Sequence, residues 1–386
     1  MKILFTRLMP YPYTIGGYTT YMNDLFASLL KKDNEVYVVT SRPAKEDSAI
    51  NKEYPKGIKI YYTGLRHRKF GKGFLPFELL YRLFFELFFM FSVLSFYKKI
   101  KPDIVHTMDL LSESLPFALF NISFVATIYG IYLEGFKELW TKRKNKLAIF
   151  LSFIYKLMEE FNAKKAKMLF ICTTKRTQEY YNKFGKTLLV GSGITFSNYK
   201  NLPKKHFYLN LNRLTEQKGT NYLISALELL DKKGIYLELN IVGDGEKDYV
   251  NRLKERAKHL KNIKVRFLGW LTGNKKQIIY GQASIFIMPS IFEPFGITIL
   301  EAMASGCAII ASDCEGPKTI VKKSFGVLVP YSDEKKRAEN LANAIEKSLK
   351  WDLKKMSLSA RKEAKKYDYE KIAERYINVY KQTQIK

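Results

Sequence analysis

Two glutamates, Glu293 and Glu301, have seven residues between them in the stretch 289–306, PSIFEPFGITILEAMASG. The intervening EPFG carries the Pro and Gly of a loop that feeds a helix. A loop-to-helix junction presents unpaired backbone N–H groups, which suit a phosphate. Glu301 would sit about one to two turns into that helix, where a carboxylate can accept hydrogen bonds from the hydroxyls of a sugar or ribose. One site could therefore hold both ends of a nucleotide sugar. Spacing alone leaves a plainer alternative open, two acidic residues favoured by the positive end of the helix dipole.

A second pair of candidates lies upstream. In HFYLNLNRLTEQKGTNYLISALELL, Arg213 and Lys218 fall five residues apart in the loop between a strand and a helix, where two cations could converge on a diphosphate. Solvated surface cations are the ordinary alternative. Near the start of the chain, Gly16 and Gly17 open a helix after the first strand and could let a phosphate or sugar approach the backbone. A tight turn would need the same residues. There is no GxGxxG run, so an ordinary dinucleotide site is disfavoured.

The elements that must position these residues follow from hydrophobic period. MKILFTR reads as the first strand, helical spacing of Tyr21, Leu25, Phe26, Leu29 and Leu30 follows, and residues 36–40 form a β-branched run. Strand, helix, strand in that order makes a parallel βαβ unit. DIVHT, FVATIYG and residues 168–172 give further strands. The polar YKNLPKK contains Pro203 and marks a boundary near residue 200, after which the α/β rhythm restarts. We expect domains at 1–200 and 201–368, and a terminal helix over 369–386.

The formal charge of +28 is spread along the chain: residues 1–200 hold 31 Lys and Arg against 16 Asp and Glu, and the remainder holds 34 against 21. Such spread points to anionic surfaces in general, or to a lysine-rich proteome. Cys172, Cys307 and Cys314 form neither a CxxC pair nor an even set, so a reduced, cytoplasmic setting is expected. The apolar run of the N-terminus is too short for a secretory signal and is broken by Arg7. Arg66, His67, Arg68, Lys69 and Lys72 precede a long aromatic helix in which Glu78, Arg82 and Glu86 form one narrow polar stripe. Its longest uncharged run, residues 87–97, is short of the roughly 20 residues that span a bilayer. The helix could lie peripherally on an anionic membrane or pack internally against the sheet.

The stretch around the glutamates resembles the glutamate motif of retaining GT-B-fold glycosyltransferases of family 4, the glycosyl transferases group 1. Glu293 and Glu301 match it, as do Pro289, Ser290, Gly296, Ala302, Met303 and Gly306. The resemblance implies two Rossmann-like α/β domains with parallel sheets facing a cleft, the first for the acceptor and the second for a nucleotide sugar. It implies that Glu293 lies beside the donor sugar and Glu301 on the ribose, with backbone at Phe295, Gly296, Ile297 and Thr298 near the sugar and phosphates. Arg213 and Lys218 resemble the pair that grips the donor pyrophosphate, Leu268 the position near the base, and Gly17 the glycine facing the cleft. Glu293, Arg213 and Lys218 are then the catalytic set. His106 matches a histidine on the acceptor side, while Tyr129 stands where the family often has a second one. A tyrosine with a pKa near 10 is a poor base at neutral pH. Asn212 replaces the usual glycine before the arginine.

The expected function is transfer, with retention, of a sugar from a UDP- or GDP-sugar to a glycan or polyprenyl-linked acceptor. No cofactor and no metal are expected, since no Asp-x-Asp cluster is present. Another GT-B sugar-nucleotide enzyme, an epimerase or a phosphorylase-like one, and a catalytically silent membrane-associated sugar-nucleotide binder are the alternatives. Charge alone suggests a nucleic-acid partner, and no recognised motif accompanies it.

Overall fold

A computed structural model describes residues 1–8, 17–42, 54–66, 76–131, 146–330 and 333–384. The chain divides into two compact α/β units, Met1–Ser192 with Tyr369–Lys386, and Gly193–Asp368. The sequence reading put the first division at 200. In the structure residues 194–199 pack with the second unit, where Ile194 N donates to Tyr367 O at 2.9 Å and Tyr199 is buried in the core.

The first unit is built on seven parallel strands, β1 (Lys2–Arg7), β2 (Glu35–Arg42), β3 (Lys59–Arg66), β4 (Ile104–Thr107), β5 (Val125–Ile128), β6 (Met168–Ile171) and β7 (Thr187–Leu189). They lie in the order β3-β2-β1-β4-β5-β6-β7. Successive side chains of a strand point to opposite faces, and both faces are covered here, so the strands read as continuous apolar runs. Ile3 and Phe5 face the helices Gly17–Leu30 and Tyr369–Thr383. Leu4 faces the helices Pro76–Ile100 and Lys146–Lys165. The edge strands β3 and β7 were not read from sequence.

The helix Pro76–Ile100 corrects one expectation. Glu86 was placed on an exposed polar stripe, yet it is buried at 8% exposure and accepts a hydrogen bond from Tyr155 at 3.2 Å. Phe85, Phe89 and Val93 enter the core, and the outward face is apolar, with Phe84, Leu87, Phe88 and Phe91 exposed. The side chains of Glu78 and Arg82 lie outside the described residues, as do Gly16, His67, Arg68, Lys69 and Lys72.

The second unit carries β8 (Tyr208–Leu211), β9 (Leu237–Val242), β10 (Ile263–Phe267), β11 (Ile285–Met288), β12 (Ala308–Ser312) and β13 (Gly326–Val329). These six are parallel, in the order β10-β9-β8-β11-β12-β13. Chain order therefore reverses between β8 and β11. The loops leaving these two strands diverge there, and the crevice at the carboxyl ends of such a sheet is where ligands bind.

Candidate active site

The loops at that crevice are tied to one another through backbone. Asn212 N donates to Val242 O at 3.1 Å, Leu214 N to Asp244 O at 2.8 Å, Gly243 N to Gly269 O at 2.8 Å and Ile291 N to Gln217 O at 2.9 Å. Gly316 N, after β12, donates to Glu293 O at 3.0 Å. Contact this close needs glycine at Gly219, where φ is +69° and an added Cβ would stand 2.0 Å from Pro289 O. Gly316 meets the same demand, because a Cβ there would be 2.6 Å from the carbonyl oxygen of Glu293.

This stitching brings the Lys218 ammonium to 2.7 Å from Glu293 Oε2, with side-chain exposures of 17% and 14%. Arg213 is exposed on the loop leaving β8. Leu268 and Trp270, after β10, are exposed on either side of Gly269. Beside the pair, burial and then the Glu293 carboxylate push the Cys314 thiol up to about 12, so it stays neutral at physiological pH.

Gly296, at φ +103°, caps the helix Ile297–Ala304, whose first turn holds no acidic residue. The dipole alternative is therefore not met, since Glu293 precedes the helix and Glu301 lies beyond its first turn. The first N–H groups of a helix have no partner within it, which leaves Ile297 and Thr298 suited to an anion. Glu301 is buried at 1% exposure. Its Oε1 accepts from Lys276 Nζ at 2.6 Å and from the Tyr199 hydroxyl at 2.8 Å. Its Oε2 is buried without a hydrogen-bond partner among the described residues.

In the first unit the sequence-predicted residues do not form a comparable group. His106 is fully buried, with Nδ1 2.6 Å from the Tyr380 hydroxyl and Nε2 2.6 Å from Thr127 Oγ1. Phe5, Phe170 and Tyr376 surround the ring, and burial lowers its pKa to about 3. Both nitrogens are engaged inside the core, so no face of His106 is left for an acceptor. Tyr129 is half-buried, its ring edge-on to Tyr21 at 5.3 Å. Gly17 is the first residue of its helix.

Two family models together account for most of the chain: Glycosyltransferase Family 4 over residues 15–189 and Glycosyl transferases group 1 over residues 195–367. The chain belongs to the group 1 glycosyltransferases. An uncharacterised glycosyltransferase of Methanocaldococcus jannaschii is 33% identical over 180 residues, covering 45% of this chain and 44% of that protein. The chain thus matches less than half the length of that relative. A UDP-Gal:alpha-D-GlcNAc-diphosphoundecaprenol alpha-1,3-galactosyltransferase of Escherichia coli is 28% identical over 275 residues, 63% of this chain and 67% of that protein. The structure of a sucrose-phosphate synthase from Thermosynechococcus elongatus superposes with a TM-score of 0.77 over 99% of this chain and 98% of that one, at 19% identity, and shares the GT-B fold.

Family membership makes the chain a glycosyltransferase working with nucleotide-sugar donors. Sequence reasoning missed three parts of the glycosyltransferase site: Lys276, Tyr199 and Gly316. The spacing of Lys276 from Glu301 follows no helical period, because the two sit on different helices. Tyr199 had been read as part of a linker. Gly316, in the quoted CEGPK, was a visible signal that only a close approach of backbone could explain.

Proposed function

We propose that this glycosyltransferase transfers a sugar with retention of anomeric configuration from a UDP- or GDP-sugar to a glycan or polyprenyl-linked acceptor, without a metal. The observation that carries this reading is the Lys218–Glu293 pair, held at 2.7 Å beside the Gly296 helix start. Here a carboxylate that can orient sugar hydroxyls adjoins a cation that can take charge from a departing diphosphate. Arg213 supplies a second cation on the same loop, doing work that a divalent ion does elsewhere. The N–H groups of Ile297 and Thr298 would face the phosphates, Glu301 the ribose and the backbone at Leu268 the base. The departing phosphate would accept the acceptor proton on the face that it leaves, so no histidine base is needed. That agrees with the enclosure of His106 and with Tyr129 at the second position.

Peripheral attachment to an anionic membrane belongs to the same reading. Phe153, Ile154, Leu157 and Phe161 are exposed on the helix Lys146–Lys165, next to the exposed Phe84, Leu87, Phe88 and Phe91, and Tyr155 bonds to Glu86 between the two helices. No described helix is long and apolar enough to cross a membrane. An apolar face on a strongly basic chain suits a surface of acidic lipid, where a lipid-linked acceptor would be met.

The test is thermal stabilisation by a panel of nucleotides and nucleotide sugars, with and without EDTA, followed by NMR assignment of the anomeric configuration of the product. Ligand binding to the folded state raises apparent stability by mass action. An EDTA-insensitive shift with one nucleoside diphosphate and a product of unchanged configuration are expected. Inversion, or loss of the shift in EDTA, would overturn that part of the reading.

A further inference from the structure

Glu301 is held in an arrangement that its proposed role does not itself require. Its carboxylate is almost wholly buried, yet its two oxygens are treated unequally. Oε1 receives both Lys276 Nζ, at 2.6 Å, and the Tyr199 hydroxyl, at 2.8 Å. Oε2 has no donor among the described residues and no contact with solvent. A buried acceptor without a partner is costly, and in native proteins such an atom commonly marks a place where a ligand or water supplies the missing donor. Lys276, whose side chain is 22% exposed, is the charged partner that reaches solvent. It projects from the helix Gly273–Gln282, which begins just after the exposed Leu268–Trp270 stretch, and its ammonium lies 5.9 Å from the ring centre of Tyr280.

We propose that Lys276 is a positioning residue for nucleotide recognition: it keeps Glu301 ionised and pins one carboxylate oxygen, so that the other is free to accept the ribose hydroxyls of the donor. This rests on the reading that Glu301 receives the ribose. The physical ground is the cost of a lone buried charge. Without a nearby cation, a carboxyl group in this surrounding of Tyr199, Tyr280 and Met303 takes up a proton. A protonated carboxyl spends one oxygen as a donor and loses much of its strength as an acceptor. Lys276 then governs recognition of the hydroxyls through Glu301, without any need to touch the nucleotide.

The experiment uses the full chain and calorimetric binding of UDP and GDP, each beside its 2′,3′-dideoxy form. The wild-type protein is expected to bind the ribose form of one nucleotide about tenfold or more tightly than the dideoxy form, the size of a hydrogen bond to a charged group. Lys276→Met should bring that ratio to within about twofold of one, and Lys276→Arg should restore most of it. In the Glu301→Gln background, Lys276→Met should change nothing further, because the two act as one unit. The double variant also carries no lone buried charge, so it serves where Lys276→Met alone folds poorly. A ratio in Lys276→Met equal to the wild-type ratio would overturn the role of Lys276 and leave that of Glu301 standing. A wild-type protein that does not distinguish ribose from dideoxyribose, or that binds neither nucleotide, would refute the reading of Glu301 and this inference with it.

Discussion

Exchanging Lys218 for Met, Glu293 for Gln, and both together tests the centre of the proposed mechanism. The two charges meet at 2.7 Å, with both side chains less than one-fifth exposed. At an effective dielectric of about 20 the gross attraction is about 6 kcal/mol. Desolvation of both groups offsets most of this, and the net worth of a hydrogen bond between charged partners is about 1.5–3 kcal/mol. Each single variant leaves the other charge without its partner, so the stability cycle should show a coupling of that size. For activity, loss of a preorganised cation at the departing diphosphate should lower kcat by about 10²–10³. The double variant should be far better than the product of the two single losses, because residues acting as a unit are not additive. Urea unfolding followed by tryptophan fluorescence is a suitable assay, since Trp270 and Trp351 both lie in the second unit. Hydrolysis of donor in the absence of acceptor supplies a rate that needs no knowledge of the acceptor. A coupling below about 0.5 kcal/mol, the usual scatter of independent sites, would refute the energetic part. A Lys218→Met enzyme keeping more than about a third of the wild-type rate would refute the catalytic part, being far short of that loss.

Other consequences concern both units. Burial lowers the His106 pKa to about 3, below its unfolded value, so its contribution to stability is complete above about pH 6.5 and is lost as pH falls towards 3. About 2 kcal/mol should disappear between pH 6.5 and 5, and His106→Gln should flatten that slope; an imidazole titrating near 6.5 by NMR would contradict it. Gly219→Ala should be markedly more destabilising than Gly234→Ala. Both glycines have φ near +70°, but a Cβ at Gly234 meets nothing within 4 Å and one at Gly219 meets the Pro289 carbonyl at 2.0 Å. Gly234→Ala should cost about 1 kcal/mol, and equal melting temperatures for the two variants would show that loop contact to be unimportant. Replacing Phe84, Phe91, Phe153 and Leu157 together by Ser should abolish sedimentation with phosphatidylglycerol vesicles without lowering donor binding. Unchanged sedimentation would move any membrane contact elsewhere.

Much of the architecture was legible because its signals are local. Apolar runs of four to six residues marked most strands, and β-branched segments alternating with helical spacing implied parallel sheets in both halves. The short or half-buried edge strands β3 and β7 carry weaker patterns and escaped notice. On the helix Pro76–Ile100, period showed that Glu86 shares a stripe with Glu78 and Arg82, but not which way the stripe turns. Packing against Tyr155 turned Glu86 inward and left the aromatic side facing out.

For the site, the sequence by itself determined the chemistry at hand: two glutamates at a loop-to-helix junction, and a cation pair in the loop between a strand and a helix. These are features of composition and short spacing, and the chain carries them whatever its fold. Only the tertiary structure decided which groups meet. Lys218 finds Glu293 because the loops after β8 and β11 lie side by side, and Glu301 is held by Lys276 and Tyr199, 25 and 102 residues distant. It also decided that His106, placed by sequence on the acceptor side, is a neutral core residue, since burial is a property of what folds over a strand and not of the strand itself.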